Sequence, residues 1–391
     1  MHGRTFASLS EGDEGCWTHT IAAEDVDAFA ALSGDDNPLH MDDAYAKACG
    51  FEGRVVHGML LGAWLSRMLG THFPGPGVLW LSQDIRFARA VYIGDSVEVV
   101  VRVKHKAVEL RTLVLETTVL GPDGSPVLTG EARTMMLPVD RTPAWNEYVA
   151  IVTGAGRGIG AAVARGLGEH GARVVVNYRA GGDAAEHVVA DVKAAGGDAV
   201  AVRADVAEGD AGTTLVAAAE EHWGRVDALV NNATPPIERK PFEELTWDEV
   251  DRYWQTYVHS AFTLTQAALT GMKERGFGRV VHLLTSAIWG KPPVHTAGYV
   301  AAKSGLWGLT KALAVELAPY GITVSALSPS AVMTDQWEAS SERQRRALAL
   351  ALPAQRLATP EEVARTVTFL LGPEGAYLHG ANVPVAGGEV M

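Results

Sequence analysis

The chain has 391 residues, of which 47% are hydrophobic and 20% are charged, a composition typical of globular proteins. This length predicts two domains, each with its own apolar core. The formal net charge of −13 argues against a nucleic-acid partner, because phosphate contacts need clustered lysine and arginine. The two cysteines, Cys16 and Cys49, form no CxxC pair, so neither a disulfide framework nor a metal site is predicted.

The first residues, "MHGRTFASLSEGDEG", lack the basic and then apolar order of a secretion signal. No apolar run approaches the roughly 18 residues that a membrane span requires. We therefore expect a cytoplasmic protein without a membrane partner.

The N-terminal third is predicted to be an antiparallel sheet curled around one helix. An apolar helix is expected over residues 58–70, and β-rich segments follow near 78–89, 95–106, 110–120 and 126–136. The two prolines of "LPVDRTPAWNEY" indicate a linker. We assign residues 1–138 to the first domain, 139–147 to the linker and 148–391 to the second domain.

Residues 29–46 read "FAALSGDDNPLHMDDAYA" and admit two interpretations. Asp and Asn cap helices and Pro fixes a helix start, so the stretch can be a structural turn. His40, however, has no capping role, and Asp35 lies five positions earlier across the Asn-Pro turn. Such a pair can face one cleft and carry out general acid–base chemistry.

This stretch resembles the signature of the R-specific enoyl-CoA hydratases, which are MaoC-like proteins of the hot-dog fold. The likeness spans roughly residues 10–138 and includes "VVHGMLL" (55–61). It implies that Asp35 and His40 hold the water that adds to, or leaves, the β-carbon, and that the Gly58 N–H stabilises the developing enolate. We assign Asp36 to a solvated or capping role and His57 to the packed core. The matching positions are Phe29, Leu32, Ser33, Gly34, Asp35, Asn37, Pro38, Leu39, His40 and Ala46, of which Asn37 is expected to support the geometry of the pair.

The second domain shows alternating strands and helices over residues 148–205, which predicts a doubly wound parallel sheet of the Rossmann type. The loop "TGAGRGIG" (153–160) lies between a strand and a helix. Its glycines let the backbone approach a pyrophosphate, and the helix N-terminus offers N–H groups to it. On its own, such a loop can also be a tight turn.

Other motifs corroborate a nucleotide site. "NNA" (231–233) follows a strand, Ser286 ends another, and Tyr299 and Lys303 form YxxxK at a helix start. With this set, residues 147–391 resemble the short-chain dehydrogenase/reductase family, and its ketoreductases in particular. Tyr299 and Lys303 lie one helical turn apart, so we expect the ammonium to lower the pKa of the phenol, which then exchanges a proton with a substrate oxygen that Ser286 also binds.

The residues after the second strand of this domain predict the cofactor. Sites selective for NAD place an acid there to bind the ribose 2′-hydroxyl, whereas a 2′-phosphate prefers arginine. Here Asn177 and Tyr178 stand in the acid's place, Arg179 follows, and Arg157 lies in the glycine loop. NADP, used as NADPH, is therefore the predicted cofactor.

The resemblance completes the predicted cofactor site by assigning Asp205 to the adenine and Thr334 to the nicotinamide carboxamide. The residues expected to hold the cofactor are Gly154, Arg157, Gly158, Ile159, Gly160, Arg179, Asp205, Asn231, Tyr299, Lys303 and Thr334.

Three residues depart from the family pattern. Thr234 replaces the glycine of NNAG, Ser330 follows Pro329 where the family has glycine, and Tyr257 aligns with the asparagine of the proton relay. These departures leave open that the reductase-like half is a non-catalytic scaffold or a module that binds acyl thioesters.

The two halves share one chemical intermediate. A ketoreductase makes a 3-hydroxyacyl thioester, and a hydratase interconverts that alcohol with the trans-2-enoyl thioester. We expect a bifunctional ketoreductase and dehydratase, with R-specific β-oxidation using NAD as the enzymatic alternative. The carrier, coenzyme A or acyl carrier protein, stays open, and both families suggest a homodimer or homotetramer.

Overall fold

The computed structural model describes residues 4–137, 141–334 and 341–389. The chain separates into two units between residues 140 and 141. The predicted domain boundary at 138/139 lies outside the described residues. Residues 141–147 of the predicted linker belong to the second unit, where the Trp145 ring packs on Tyr148 with 4.8 Å between ring centroids. None of the described helices is long and apolar enough to span a bilayer.

The first unit is the predicted antiparallel sheet, with strand order β1-β3-β4-β5-β2. Its strands are β1 Glu14–Thr20, β2 Val78–Phe87, β3 Ser96–Ala107, β4 Thr112–Leu120 and β5 Pro126–Met136. Its helices are α1 Ala23–Ser33, α2 Pro38–Met41, α3 Asp43–Ala48 and α4 Gly58–Arg67. Side chains alternate between the two faces of a strand, so every second residue of β3 from Val97 to Val103 is buried.

The helix α4 supplies the other half of this core. Leu60, Leu61, Trp64 and Leu65 are buried in one cluster with the inward residues of the strands. The prediction of a hot-dog architecture, a curled antiparallel sheet against one apolar helix, is therefore confirmed. The sequence analysis missed β1, which pairs with β3 over its whole length.

The second unit is a parallel seven-stranded sheet of order β12-β11-β10-β9-β6-β7-β8. Its strands are β6 Val149–Val152, β7 Arg173–Tyr178, β8 Asp198–Arg203, β9 Ala228–Asn231, β10 Gly278–Leu283, β11 Ile322–Pro329 and β12 Asn382–Val385. Its helices are α5 Gly158–Glu169, α6 Gly182–Ala194, α7 Ala211–Trp223, α8 Trp247–Trp254, α9 Ser260–Arg275, α10 Ala297–Leu317, α11 Glu342–Ala351 and α12 Pro360–Leu371. The predicted Rossmann-type sheet is confirmed.

The strand order positions a binding crevice. Strand β6 lies between β7 and β9, so the chain winds in opposite directions on either side of it. Ligands of such sheets bind at this switch point, outside the carboxyl ends of the strands. The glycine loop follows β6, and Asn231 ends β9, which places both at this crevice.

Candidate active sites

In the first unit, the stretch around Asp35 is a capped turn. Gly34 ends α1 in the left-handed region, with φ of 76°, a conformation that favours glycine. Asn37 caps α2, because its Oδ1 accepts a hydrogen bond from the Leu39 N–H at 3.0 Å. This turn brings the side chains of Asp35 and His40 together, so the capping interpretation and the catalytic one are compatible.

The ring of His40 is held in one orientation. Its Nδ1 lies 2.7 Å from the Val55 carbonyl oxygen, and a carbonyl can only accept, so Nδ1 carries the proton. In the neutral ring the lone pair is then on Nε2, which is 4.0 Å from Oδ2 of Asp35. This distance is too long for a direct hydrogen bond, and it allows one water molecule to contact both atoms.

His57 lies directly behind this pair. Its ring stacks on that of His40 with 3.9 Å between centroids, and it is 2% exposed. Its Nε2 lies 2.9 Å from the backbone oxygen of Asp35 and donates to it, which fixes the Asp35 backbone. His57 is buried, as the sequence analysis predicted. The sequence analysis missed its contacts with Asp35 and His40. The position of His57 immediately before Gly58 in "VVHGMLL" is the signal that could have indicated them.

Gly58 is the first residue of α4, where backbone N–H groups have no acceptor within the helix. A Cβ atom at this position would lie 2.9 Å from ring atoms of Phe87. The site therefore leaves no room for a side chain beside the helix N-terminus unless Phe87 moves. Asp36, in contrast, is exposed, as expected.

In the second unit, the glycine loop forms a narrow backbone cradle. Gly154 and Gly158 have φ of 62° and 55°, in the region that favours glycine. A Cβ atom at Gly160 would lie 2.5 Å from the Gly154 carbonyl oxygen and 2.6 Å from Nδ2 of Asn232. Ile159 packs against the core of the domain, which holds the first turn of α5 against the loop.

Asn177 has a structural role in this cradle. Its Oδ1 accepts from the Gly154 N–H at 3.1 Å, and its Nδ2 donates to the Ala204 carbonyl at 3.0 Å. The side chain is 1% exposed and thus connects the loop to the segment after β8. Of the two residues in the place of the acid, Asn177 therefore faces the protein interior.

The two arginines of the predicted cofactor site, Arg157 and Arg179, lie at the surface. Arg157 is exposed at the N-cap of α5. Arg179 Nη1 lies 3.5 Å from Oδ2 of Asp205, and the Arg179 side chain is mostly exposed. An exposed ion pair of this length is weak, so Arg179 can turn to another anion. Thr334 lies beside the loop, since its Cγ2 is 3.4 Å from a Cβ placed on Gly158.

The amide of Asn231 tests whether this crevice suits a dinucleotide. The residue is buried, and neither its Oδ1 nor its Nδ2 has a hydrogen-bond partner among the described residues. Buried amides are normally satisfied, so an unpaired amide on the last residue of β9 is compatible with a polar ligand group at this end of the strand. Together with the glycine cradle and the start of α5, it fits a dinucleotide cofactor.

The predicted Ser, Tyr and Lys lie in two neighbouring segments, the one that follows β10 and the first turns of α10. Ser286 is buried, three residues after the end of β10. The ammonium of Lys303 donates to the Leu283 carbonyl and lies 3.8 Å from the centre of the Tyr257 ring. Tyr299 hydrogen bonds with Thr285, the neighbour of Ser286. Burial lowers the pKa of Lys303 to about 7.

The expected lowering of the Tyr299 pKa is wrong for this structure. Burial raises the pKa of the phenol and outweighs the hydrogen bond with Thr285. The positive charge of Lys303 is directed at the Leu283 carbonyl and at the Tyr257 ring instead. The i, i+4 spacing correctly places both residues on one helical face but does not reveal the cost of burying a phenolate.

Two of the departures from the family pattern contact each other. Tyr257 lies in a π-helical turn, Gln255–His259, and is 2% exposed. Its hydroxyl is 2.6 Å from Oγ1 of Thr234, and its ring meets Tyr299 edge-on with 5.9 Å between centroids. Tyr257 therefore contacts both Tyr299 and Lys303. The third departure, Ser330, donates its backbone N–H to the Val385 carbonyl.

A residue that the sequence analysis did not select also reaches this cluster. The Ser286 hydroxyl lies 2.8 Å from Oε2 of Glu389 and donates to it. The two residues are 103 positions apart, so no local pattern signals the contact.

Comparison with known proteins agrees with this division. A family model described as a MaoC-like domain matches residues 15–120. A second model, described as enoyl-(acyl carrier protein) reductase, matches residues 154–389.

Individual relatives match the second unit. A 3-oxoacyl-(acyl-carrier-protein) reductase of Staphylococcus epidermidis is 36% identical over 244 residues, which cover 62% of this chain and 98% of the relative. An acetoacetyl-CoA reductase of Allochromatium vinosum is 36% identical over 246 residues, with the same 62% and 98% coverage.

Two solved structures are similar in the same region. A short-chain dehydrogenase/reductase from Serratia marcescens is 35% identical, with a TM-score of 0.59, over 63% of this chain and 99% of that one. A blue fluorescent protein from a metagenomic library, solved in complex with NADPH, is 34% identical, with the same TM-score and coverage.

Proposed function

Because this chain belongs to the short-chain dehydrogenase/reductase family through its C-terminal unit and carries a MaoC-like domain before it, we propose that it is a bifunctional ketoreductase and dehydratase. The reductase site converts a 3-oxoacyl thioester into the (R)-3-hydroxyacyl thioester with NADPH. The hot-dog site removes water from that product to give the trans-2-enoyl thioester.

The observation that carries the proposal is that both sets of chemical groups occur on one chain and fit consecutive reactions. Asp35 and His40 lie around a space for one water. Tyr299 lies beside Thr285 and Lys303 binds the Leu283 carbonyl, which places both next to the segment of Ser286, in the same unit as the glycine cradle. The alcohol made at the second set is the substrate that the first set requires.

At the dehydratase site, the lone pair on His40 Nε2 and the Asp35 carboxylate are the two available bases; one of them accepts the α-proton, and the conjugate acid so formed donates that proton to the leaving hydroxyl. The α-carbon of the thioester loses a proton, and the hydroxyl on the β-carbon leaves as water. The Gly58 N–H at the start of α4 stabilises the enolate oxygen that develops in between. His57 keeps the Asp35 backbone in place through its Nε2–H.

At the reductase site, NADPH supplies the hydride when it is bound. Residues of the glycine loop, with Asn231 and Thr334, hold the dinucleotide. Ser286 donates a hydrogen bond from its hydroxyl to the substrate carbonyl oxygen and so positions that oxygen. Tyr299 transfers its phenolic proton to that oxygen, and burial, which raises the pKa of Tyr299, keeps the phenol protonated for this step.

We expect the protein to prefer NADPH to NADH, because Arg157 and Arg179 are exposed where the 2′-phosphate binds and no acid stands at 177 or 178. A charge-assisted contact contributes about 1.5–3 kcal/mol, which corresponds to a preference of roughly tenfold to over a hundredfold. Arg179→Asp should move the preference toward NADH. Dissociation constants of both cofactors for wild type and variant check this, and a wild type that binds NADH more tightly contradicts it.

The cradle gives a second prediction about the cofactor. Gly160→Ala should weaken NADPH binding about fivefold to over a hundredfold, because the added methyl group overlaps the Gly154 carbonyl and the Asn232 amide and overpacking of this kind costs about 1–3 kcal/mol. Gly166→Ala is the matched control on the same helix, since its Cβ makes only an ordinary contact at 3.5 Å. NADPH titrations with thermal melts measure both, and equal affinities of the two variants would refute the close fit.

Product analysis tests the function as a whole. The protein is given NADPH and a 3-oxoacyl thioester, or an enoyl thioester and water, on coenzyme A and on acyl carrier protein in separate reactions. We expect R-configured hydroxyacyl and enoyl products, and the faster carrier identifies the partner. Faster oxidation of hydroxyacyl thioesters with NAD would favour β-oxidation. Absence of reduction despite NADPH binding would favour a scaffold role for the second unit.

The last part of the proposal concerns the oligomeric state and the cellular location of the protein. We infer that the protein acts in the cytoplasm as a homodimer or homotetramer. The oligomeric state rests on the resemblance to both families, and light scattering of the purified protein measures its mass.

A further inference from the structure

Glu389 contacts one of the predicted catalytic residues. Its Oε2 accepts a hydrogen bond from the Ser286 hydroxyl at 2.8 Å. Ser286 is buried and has one hydroxyl proton to donate. In this arrangement that proton is directed at a carboxylate, although the proposed reaction requires it for the substrate carbonyl oxygen.

The backbone before Glu389 holds it in this position. After β12, Gly387 and Gly388 turn with φ of 55° and 85°, and the Glu389 N–H donates to the Ala386 carbonyl at 3.0 Å. The Gly387 carbonyl in turn accepts from the Ala354 N–H at 3.0 Å. The turn is therefore anchored to the segment that follows α11.

Close packing also anchors this turn to the segment after α11. A Cβ atom at Gly387 would lie 3.0 Å from that of Ala354, and one at Gly388 would lie 3.1 Å from that of Pro353. The two glycines thus let residues 387–389 pass tightly over this segment. These contacts and the two backbone hydrogen bonds fix the turn from which the carboxylate reaches Ser286.

We propose that Glu389 is a residue of the substrate site, whose carboxylate occupies the position of the substrate carbonyl oxygen on Ser286 and must leave before a 3-oxoacyl thioester binds productively. The inference rests on the proposed reductase function, because it takes Ser286 as the group that holds the substrate oxygen. The two oxygens compete for one donor, so the carboxylate weakens substrate binding. It does not change the chemical step once the substrate is in place.

The competition predicts that removing the Glu389 carboxylate tightens substrate binding. A merely structural role of Glu389 does not predict this improvement. Glu389→Ala should lower KM for the 3-oxoacyl thioester about threefold to tenfold, the equivalent of one modest hydrogen bond, with kcat within twofold. Glu389→Gln keeps the shape but not the charge and should fall between wild type and Glu389→Ala. Glu221→Gln, an exposed glutamate on α7, is the control and should leave KM unchanged.

A binding measurement separates this inference from the proposed function. The dissociation constant of the 3-oxoacyl thioester is measured by calorimetry with NADP⁺ present, where no hydride is available and no turnover occurs. A lower dissociation constant for Glu389→Ala supports the competition even if no variant oxidises NADPH, an outcome that would overturn only the reductase function. An unchanged or higher constant overturns the inference, and so does a higher KM in an active enzyme.

Discussion

Replacing His40 by alanine, or Asp35 by asparagine, is expected to abolish hydration and dehydration while leaving the reductase active. Each change removes one of the two groups around the space between Nε2 and Oδ2. Loss of a general acid or base typically reduces the rate about 10²–10⁴-fold. The measurement is hydration of a trans-2-enoyl thioester, followed together with NADPH oxidation on a 3-oxoacyl thioester, which should stay within twofold of wild type.

Asp36→Asn is the matched control for this experiment. It alters the neighbouring carboxylate, which is exposed, and hydration should stay within twofold of wild type. Near-normal hydration by both the Asp35 and the His40 variants would show that the stretch is a structural turn alone.

Tyr299→Phe is expected to remove reduction without removing NADPH binding. The variant loses the phenolic proton but keeps the ring, whose edge contact with Tyr257 supports the local packing. In the proposed function, the glycine cradle and the Asn231 amide hold the dinucleotide, and neither depends on this proton. We expect kcat for reduction to fall about 10²–10⁴-fold, with the dissociation constant of NADPH within threefold of wild type.

Two further readouts accompany this variant. Hydration at the hot-dog site should be unchanged, because Asp35 and His40 belong to the other unit. Tyr320→Phe removes a hydroxyl from a tyrosine that packs under Lys273, and should leave reduction unaffected. A Tyr299→Phe protein that reduces 3-oxoacyl thioesters at the wild-type rate would assign the proton donor to another group.

Local sequence patterns predicted most of the architecture. The alternating valines of β3 and the apolar face of α4 indicate that the sheet and this helix pack against each other. The alternation of strands and helices after residue 148 indicates a parallel sheet. Strand β1 was missed because only alternate residues of this edge strand are partly buried and the others are exposed. Its assignment depends on pairing with β3, about 80 residues later, and such a pairing leaves no local signal.

The candidate sites were predictable where their residues are close in sequence. Asp35 and His40 share one turn, and Tyr299 and Lys303 share one helical face. The contact of His57 with Asp35, and that of Glu389 with Ser286, join segments that only the tertiary fold brings together. The direction of the Tyr299 pKa shift was wrong for a related reason, since burial is a property of the surrounding structure.

The hydrogen bond between Tyr257 and Thr234 has an evolutionary consequence. A tyrosine at 257 opposite a glycine at 234 would bury a hydroxyl without this partner, which costs about 1–3 kcal/mol. Thr234, in contrast, also donates to the Pro235 carbonyl at 3.1 Å and keeps that partner whatever residue stands at 257. The effect on stability of a residue at 257 therefore depends on the residue at 234, so the two positions are epistatic.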